Sequence, residues 1–197
     1  TIAKQFGFHE EKFFEVEFPS LNKESSLLAT SLESLDGRFV KIDLSRQLKG
    51  KSIEAVFKII VIDKKAVGKP IRVSLMPNFI QRMMKDSVSY VEDSFSTQCQ
   101  DAVLRIKPFL ITRKKVHRSV RKALRDKIRE LLIHESKNTD YEHFFSNIIN
   151  NKIQKPLSLQ LKKIYPLSLC EIRELRIEKF LDKAETKKTK EEAKESS

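Results

Sequence analysis

A chain of 197 residues with 40% hydrophobic side chains is long enough for one domain with a sizeable core, or one domain and a tail, and no apolar run in it approaches the roughly 20 residues of a membrane span. Two cysteines, Cys99 and Cys170, without a CxxC pair give no disulfide framework, which fits a reducing cytosolic compartment. The net charge of +12 says nothing about fold but predicts attraction to a polyanion.

Thr1–Lys12 has no charged-then-apolar signal pattern, and the lack of an initiator Met leads to the expectation that residues precede Thr1. Residues 1–36 are weakly patterned. Phe6, Phe8, Phe13, Phe14 and Phe18 pack singly, Val16–Phe18 reads as a short strand, and Ser20–Asp36 as loop or weak helix. After Gly37, Val40, Ile42 and Leu44 alternate with polar residues, the period of a half-buried strand. Ile53–Asp63 is nearly continuous in apolar residues and reads as a central strand buried on both faces. Asp63–Gly68 reads as a turn and Ile71–Leu75 as a further strand.

Pro77–Val91 carries Ile80, Met83, Met84, Val88 and Val91 at helical spacing, with Pro77 in the first turn and Arg82 and Lys85 off the apolar face. Met83 and Met84 are thus expected in the core. Ser94–Gln98 is a short strand, Cys99–Asp101 a turn and Ala102–Thr112 a strand in which Pro108 implies a bulge or an edge. From Ser119 a helix presents Val120, Leu124, Ile128 and Leu131 on one stripe and Arg118, Arg121, Lys122, Arg125 and Arg129 on another. Helices follow at Tyr141–Asn150, capped by Thr139 or Asp140, and at Pro156–Ile164. Leu169–Phe180 is a last strand. Asp182–Ser197 is Lys/Glu-rich with nothing to bury and is expected to be a disordered charged tail. This order predicts an α+β fold: a mostly antiparallel sheet, or a partly closed barrel, packed with three to four helices in a single domain over 37–181.

The charge is concentrated rather than spread. Ala102–Glu130 holds eleven Lys/Arg against Asp126 and Glu130, so this stretch carries +9 of the +12. Arg113, Lys114 and Lys115 fall in a loop, and the helix continues the basic run. Bases at successive helical turns meet successive phosphates, and Arg adds a bidentate fork. The bland reading is a solvated face, but such faces alternate in sign, and only Asp126 interrupts nine bases between Arg113 and Arg129. An acidic-lipid surface would need the opposite, apolar stripe to enter the bilayer, and the core requires it. No zinc-finger or base-stacking motif is present, so structured RNA held by its backbone is the better reading.

Enzyme readings find no support. His9, His117, His134 and His143 form no HxH or HExxH, four glycines build no phosphate-cradling loop, and neither cysteine has a neighbouring His. No cofactor, metal or small-molecule substrate is expected.

Arg105-Ile-Lys-Pro-Phe-Leu-Ile-Thr112, followed by Arg118-Ser-Val-Arg-Lys-Ala-Leu-Arg125, resembles the core of the small-subunit ribosomal protein S-three-A-e family, also called eukaryotic-type S-one. Lys162-Lys-Ile-Tyr-Pro-Leu167 with Cys170-Glu-Ile-Arg173 is similar to a second stretch of that family. Gly37-Arg-Phe-Val and Asp43-Leu give a third, weaker likeness. Ile111 runs straight into the basic loop without the insertion of eukaryotic members, so the chain resembles the archaeal type. It departs from the family in its first segment, where Thr1–Glu17 has only Lys4 and Lys12 against four Glu, and in Ser119-Val120-Arg121, where the family often has Ser-Gln-Ile-Arg. The resemblance implies a structural constituent of the small ribosomal subunit, ribosome-associated in the cytoplasm. Its seat would be on the platform near the messenger exit channel, beside the S-eleven protein. The residues expected to contact rRNA are Arg105, Lys107, Arg113, Lys114, Lys115, Arg118, Arg121, Lys122, Arg125 and Arg129, with Arg82, Lys85, Lys162 and Lys163 as additional contacts. The rival reading is a free-standing RNA-binding regulator or chaperone.

Overall fold

The computed structural model describes residues 11–46, 48, 51–63 and 65–181. The expected charged tail, with Phe6, Phe8, His9 and Gly50, lies outside the described residues. Thirteen elements follow in order: β1 (Lys12–Phe18), β2 (Lys23–Ala29), β3 (Phe39–Asp43), β4 (Ile53–Ile62), β5 (Lys65–Leu75), α1 (Pro77–Met83), β6 (Tyr90–Glu92), β7 (Phe95–Gln98), β8 (Ala102–Thr112), α2 (Arg118–Lys137), α3 (Tyr141–Ile149), α4 (Gln154–Leu161) and β9 (Leu167–Phe180).

All nine strands join one sheet, so the fold is α+β as expected. Its spine runs β3-β4-β5-β9-β8, antiparallel throughout. Strands β6 and β7 divide the outer edge of β8 between them. The β1–β2 hairpin joins the first part of β5 through a short parallel contact at Val16–Ala66 and Glu17–Val67. Among the described strands the two ends of the spine do not meet, so the sheet is open rather than a closed barrel.

The helices pack on one face: α2 on β6 and β7, α4 on β9, α3 on β5. Alternation then sorts the side chains. Ile53, Ala55, Phe57 and Ile59 of β4 are buried under the helices, with Val73 and Leu75 of β5, Leu104 and Ile106 of β8 and Leu175 of β9. Leu124, Ile128 and Leu132 of α2 and Phe144, Phe145 and Ile148 of α3 close the core from above. A side chain at Gly68 would collide with the Phe18 ring. The missing Cβ lets that ring settle on β5 and meet Phe57 edge-on at 5.0 Å.

Several expectations need correction. β4 is not buried on both faces: Glu54, Val56, Lys58 and Ile60 are half-buried on the face opposite the core. Residues 23–29 form a strand, not loop or helix, and β5 begins at Lys65, leaving a tighter turn than Asp63–Gly68. The helix from Pro77 stops at Met83, because Val91 is claimed by the pairing of β6 with β8. Met83 and Met84 are 39% and 42% exposed rather than core. The apolar stripe of α2 runs through Leu124, Ile128 and Leu132, with Val120 and Leu131 at its margin. The bulge expected at Pro108 is present, between Lys107 and Pro108.

One ion pair sits inside the fold. Lys51 Nζ lies 2.5 Å from Glu171 Oε2 and donates to Asn151 Oδ1 at 2.5 Å, and both charged side chains are nearly buried. Burial raises the Glu171 carboxyl above its ordinary range, with Lys51 opposing. A buried pair is destabilising to break and far less so to replace. Glu171→Gln should therefore lower the unfolding free energy by about 3 kcal/mol, whereas Lys51→Met with Glu171→Leu should restore most of it. Urea denaturation of the three variants checks this, and equal losses in the single and double variants would show that the pair is incidental.

Candidate nucleic-acid interface

β8 delivers the basic loop. Its last residue, Thr112, is fully buried, and its hydroxyl holds the turn. Thr112 Oγ1 accepts from Ser89 N at 3.1 Å and lies 2.7 Å from the Lys114 carbonyl and 2.9 Å from that of Ser89, one of which takes its proton. Ser89 Oγ in turn accepts from Val116 N at 3.2 Å, and Arg113 N donates to Pro166 O at 3.4 Å. The loop that carries Arg113, Lys114 and Lys115 is thus tied on one side to the segment before β6 and on the other to the segment after α4. His117 ends the loop as the N-cap of α2, its Nδ1 accepting from Ser119 N at 3.4 Å. Neither Thr112 nor Ser89 stood out in the sequence. A buried Thr between an apolar strand and a basic run was the only signal available.

The expected contact residues divide into two groups. Arg113, Lys114, Lys115, Arg118, Arg121 and Lys122 are exposed and have no carboxylate within ion-pair distance among the described residues. Lys162 and Lys163 are exposed too, in the turn that leads to Pro166 and so beside the loop. The others, Lys85 apart, are engaged by the protein itself. Arg129 grips Asp93 with two 2.9 Å bonds and lies over the Phe95 ring, 5.6 Å from its centroid. Arg125 donates to the Glu92 carbonyl at 3.1 Å. Lys107 donates to Glu174 at 2.6 Å, and Arg105 pairs with Glu178. Arg82 lies over Phe79 at 5.9 Å, and Lys85 is exposed beyond the end of α1.

The geometry is therefore a cluster of unneutralised cations at one end of the sheet, drawn from one loop and the first turns of one helix. Chemically it can neutralise several phosphates at once. Among the described residues no group of three or more His, Cys, Asp or Glu could hold a metal ion, and no helix is long and apolar enough to cross a membrane. Cys99 and Cys170 are pushed up to about 12 by burial, which leaves both thiols protonated and poor nucleophiles.

The sequence profile of the Ribosomal S3Ae family matches residues 3–180. The chain belongs to that family. Archaeal relatives agree: it is 25% identical over 174 residues to the small ribosomal subunit protein eS1 of Nanoarchaeum equitans, covering 84% of this chain and 88% of that one. It is 24% identical over 205 residues to the eS1 of Pyrobaculum islandicum, covering 97% and 90%. The match reaches the β1–β2 hairpin, so the weakly patterned first segment is part of the family's shared body.

Two carboxylates that neutralise bases make stability depend on acid. Burial would raise Glu174, but the Lys107 hydrogen bond and the charges of Arg72, Lys107 and Arg176 leave it lowered. A hydrogen bond from Ser96 and the pairing with Arg105 lower Glu178. A depressed folded-state pKa adds stability that is present above the unfolded value, about 4.3, and lost as pH falls through the folded one. The unfolding midpoint should accordingly drop below about pH 4.3, and Glu174→Gln should flatten that drop. Denaturation between pH 3 and 6 checks it, and an unchanged pH profile in the variant would contradict the assignment.

Proposed function

We propose that this member of the S3Ae family is a structural constituent of the small ribosomal subunit that holds rRNA on Arg113, Lys114, Lys115, Arg118, Arg121 and Lys122. The observation that carries the reading is that among the described residues these six bases have no carboxylate partner while Arg105, Lys107 and Arg129 are internally paired. Surface charge that serves only solubility would be mixed in sign. Counterion release from several phosphates supplies sequence-independent affinity, which suits a protein that fixes RNA tertiary structure rather than reading bases. Lys162 and Lys163, beside the loop, extend the same surface, with Lys85 as a further contact. Arg105, Lys107, Arg125 and Arg129 act there through their neighbours, by shaping the body that carries the cluster.

Membership of a ribosomal protein family accords with a non-enzymatic role and with a cytoplasmic, ribosome-associated protein. The seat on the platform, near the messenger exit channel and beside the S-eleven protein, rests on family resemblance. Stoichiometric co-sedimentation with small subunits at high salt would support this reading over a free-standing regulator of structured RNA.

The two faces of α2 should separate in experiment. Leu124 is fully buried, so Leu124→Ala should lose about 2–5 kcal/mol of stability. Replacing the six exposed bases by Gln should leave folding intact, since Gln is a good helix former. The same change should weaken binding to small-subunit rRNA and flatten its salt dependence by roughly 0.7–0.9 per lost contact. Chemical denaturation and filter binding across a salt series measure both. Retained affinity in the Gln variant would sink the assignment.

A further inference from the structure

The uncovered face of the sheet carries charge in an arrangement that stability does not explain. Across β5, β9 and β8, Arg72 stands opposite Arg176, and Arg176 stands opposite Arg105. Three residues earlier on β5, beyond a bulge, Lys69 stands opposite Lys58 of β4, and Lys58 opposite Phe39 of β3. Like charges directly opposite one another on neighbouring strands are destabilising. Opposite charges or Thr pairs at the same positions would be favourable. Some relief comes from the flanks: Arg72 meets Glu174 at 3.0 Å, Arg105 meets Glu178, and Lys69 is 3.9 Å from Glu142. Arg176 and Lys58 have no carboxylate within ion-pair distance among the described residues. Phe39, at the edge of this face, is 61% exposed.

We propose that this face is a second RNA-contact surface, separate from the basic loop, on which a strand's phosphates cross the rows of bases and a base stacks on Phe39. The proposal rests on the reading above that the chain binds rRNA. Neighbouring strands lie about 4.8 Å apart, so the backbones of Arg72 and Arg105 are roughly 10 Å apart with Arg176 between them. Within the row Arg176 is the guanidinium without a carboxylate among the described residues and can reach a phosphate directly, while Arg72 and Arg105 stay held by Glu174 and Glu178 on either side of it. Helices α2 and α4 pack on the other face, while α1 borders this one beside Arg72 and Glu142 of α3 reaches Lys69 at its margin. A cleft of about 540 Å³ between the sheet and α1, lined by Lys41, Val56, Arg72, Ile80 and Gln81, continues the surface. Eight residues of extended strand separate Arg105 from Arg113, so this surface and the loop lie roughly 25 Å apart along β8. One protein could then hold two RNA segments at a fixed separation. An acidic protein segment is the other occupant that positive charge admits. It would leave an exposed Phe beside the Lys pair without a use, whereas base stacking on an aromatic ring explains it.

The test uses the full chain and deproteinised small-subunit rRNA as probe, with three variants: Lys58→Gln/Lys69→Gln/Arg176→Gln, Phe39→Ala, and the six-Gln loop variant. The sheet triple variant should bind about tenfold more weakly at low salt, with a log–log salt slope flatter by about two. Its melting temperature should be unchanged or higher, because three like-charge contacts, Lys58–Lys69, Arg72–Arg176 and Arg105–Arg176, are relieved. Phe39→Ala should lose affinity with the slope unchanged, since stacking releases no counterions. If the triple variant does not fold, Arg176→Gln alone carries the test, with a slope change of roughly 0.7–0.9. Wild-type affinity and slope in the sheet variant, alongside a loss in the loop variant, would overturn the inference and turn this face toward an acidic protein. Loss in the sheet variant alone would uphold it and remove the loop from the interface. No loss in either would remove both.

Discussion

The ladder between β8 and β9 joins Thr112 to Leu167, 55 positions away, and the three long helices lie in the chain between them. Closing so long a loop has an entropic cost, and it is met by an eleven-residue strand paired along its whole length. Everything functional hangs on that register. It returns α2, α3 and α4 to one side of the sheet, and it brings the Lys162–Lys163 turn beside the loop that leaves β8. A slip of one residue in β9 would turn Leu175 out of the core and Arg176 into it. The three irregularities in the ladder, at Val103/Leu104, Lys107/Pro108 and Ile111/Thr112, let a strand containing Pro108 stay paired on both sides.

The same ladder sorts the positive charge. Glu174 and Glu178 sit on β9 where they meet Lys107 and Arg105 of β8, and Asp93 sits just before β7 where it meets Arg129 of α2. Partly exposed pairs of this kind contribute little to stability. Their larger effect is on the field: they neutralise Lys107, Arg105 and Arg129 and leave unpaired bases, among the described residues, on the loop and first turns of α2 and at Arg176 and Lys58 of the open face. A polyanion meeting the molecule would feel those two places and little else.

Much of the architecture is legible in the sequence because period is a local property. The alternation of β3 and β8 and the inward Leu124 and Ile128 of α2 read correctly from their own residues, while the end of the α2 stripe falls on Leu132 rather than Leu131. What fails is decided at a distance. Residues 23–29, KESSLLA, lack alternation because they form an edge strand with one face open, and only pairing with β1 makes them a strand. Val88 and Val91 continue the helical period of α1, yet Val91 belongs to β6, because β8 offers it backbone partners. The continuous apolar run of β4 suggested burial on both faces. Val56 and Ile60 instead lie on the open face, between charged side chains whose stems cover them. Composition marks the basic stretch but not which of its bases the fold pairs, for a similar reason. The partners of Lys107, Arg105 and Arg129 stand 67, 73 and 36 positions away, so no count of Lys and Arg along the chain could tell a neutralised base from a free one.

The buried hydroxyl of Thr112 links that electrostatics to conformation. A run such as Arg113-Lys114-Lys115 repels itself and would leave the sheet in many directions. Binding would then have to order it, at roughly 0.5–1.5 kcal/mol for each long side chain immobilised in addition to the backbone. Here the Val116 amide and the Arg113 amide each have a partner within the fold, and the Thr112 hydroxyl lies within hydrogen-bond distance of the Lys114 carbonyl. The backbone is already set, and only the side chains remain to be ordered. Six like charges held on a fixed backbone repel one another more than on a free one, and that repulsion is relieved only when phosphates come between them. The fold therefore stores in the unliganded loop a tension that a polyanion releases, which is a physical reason for a rigid basic loop to bind more tightly than a flexible one of the same charge.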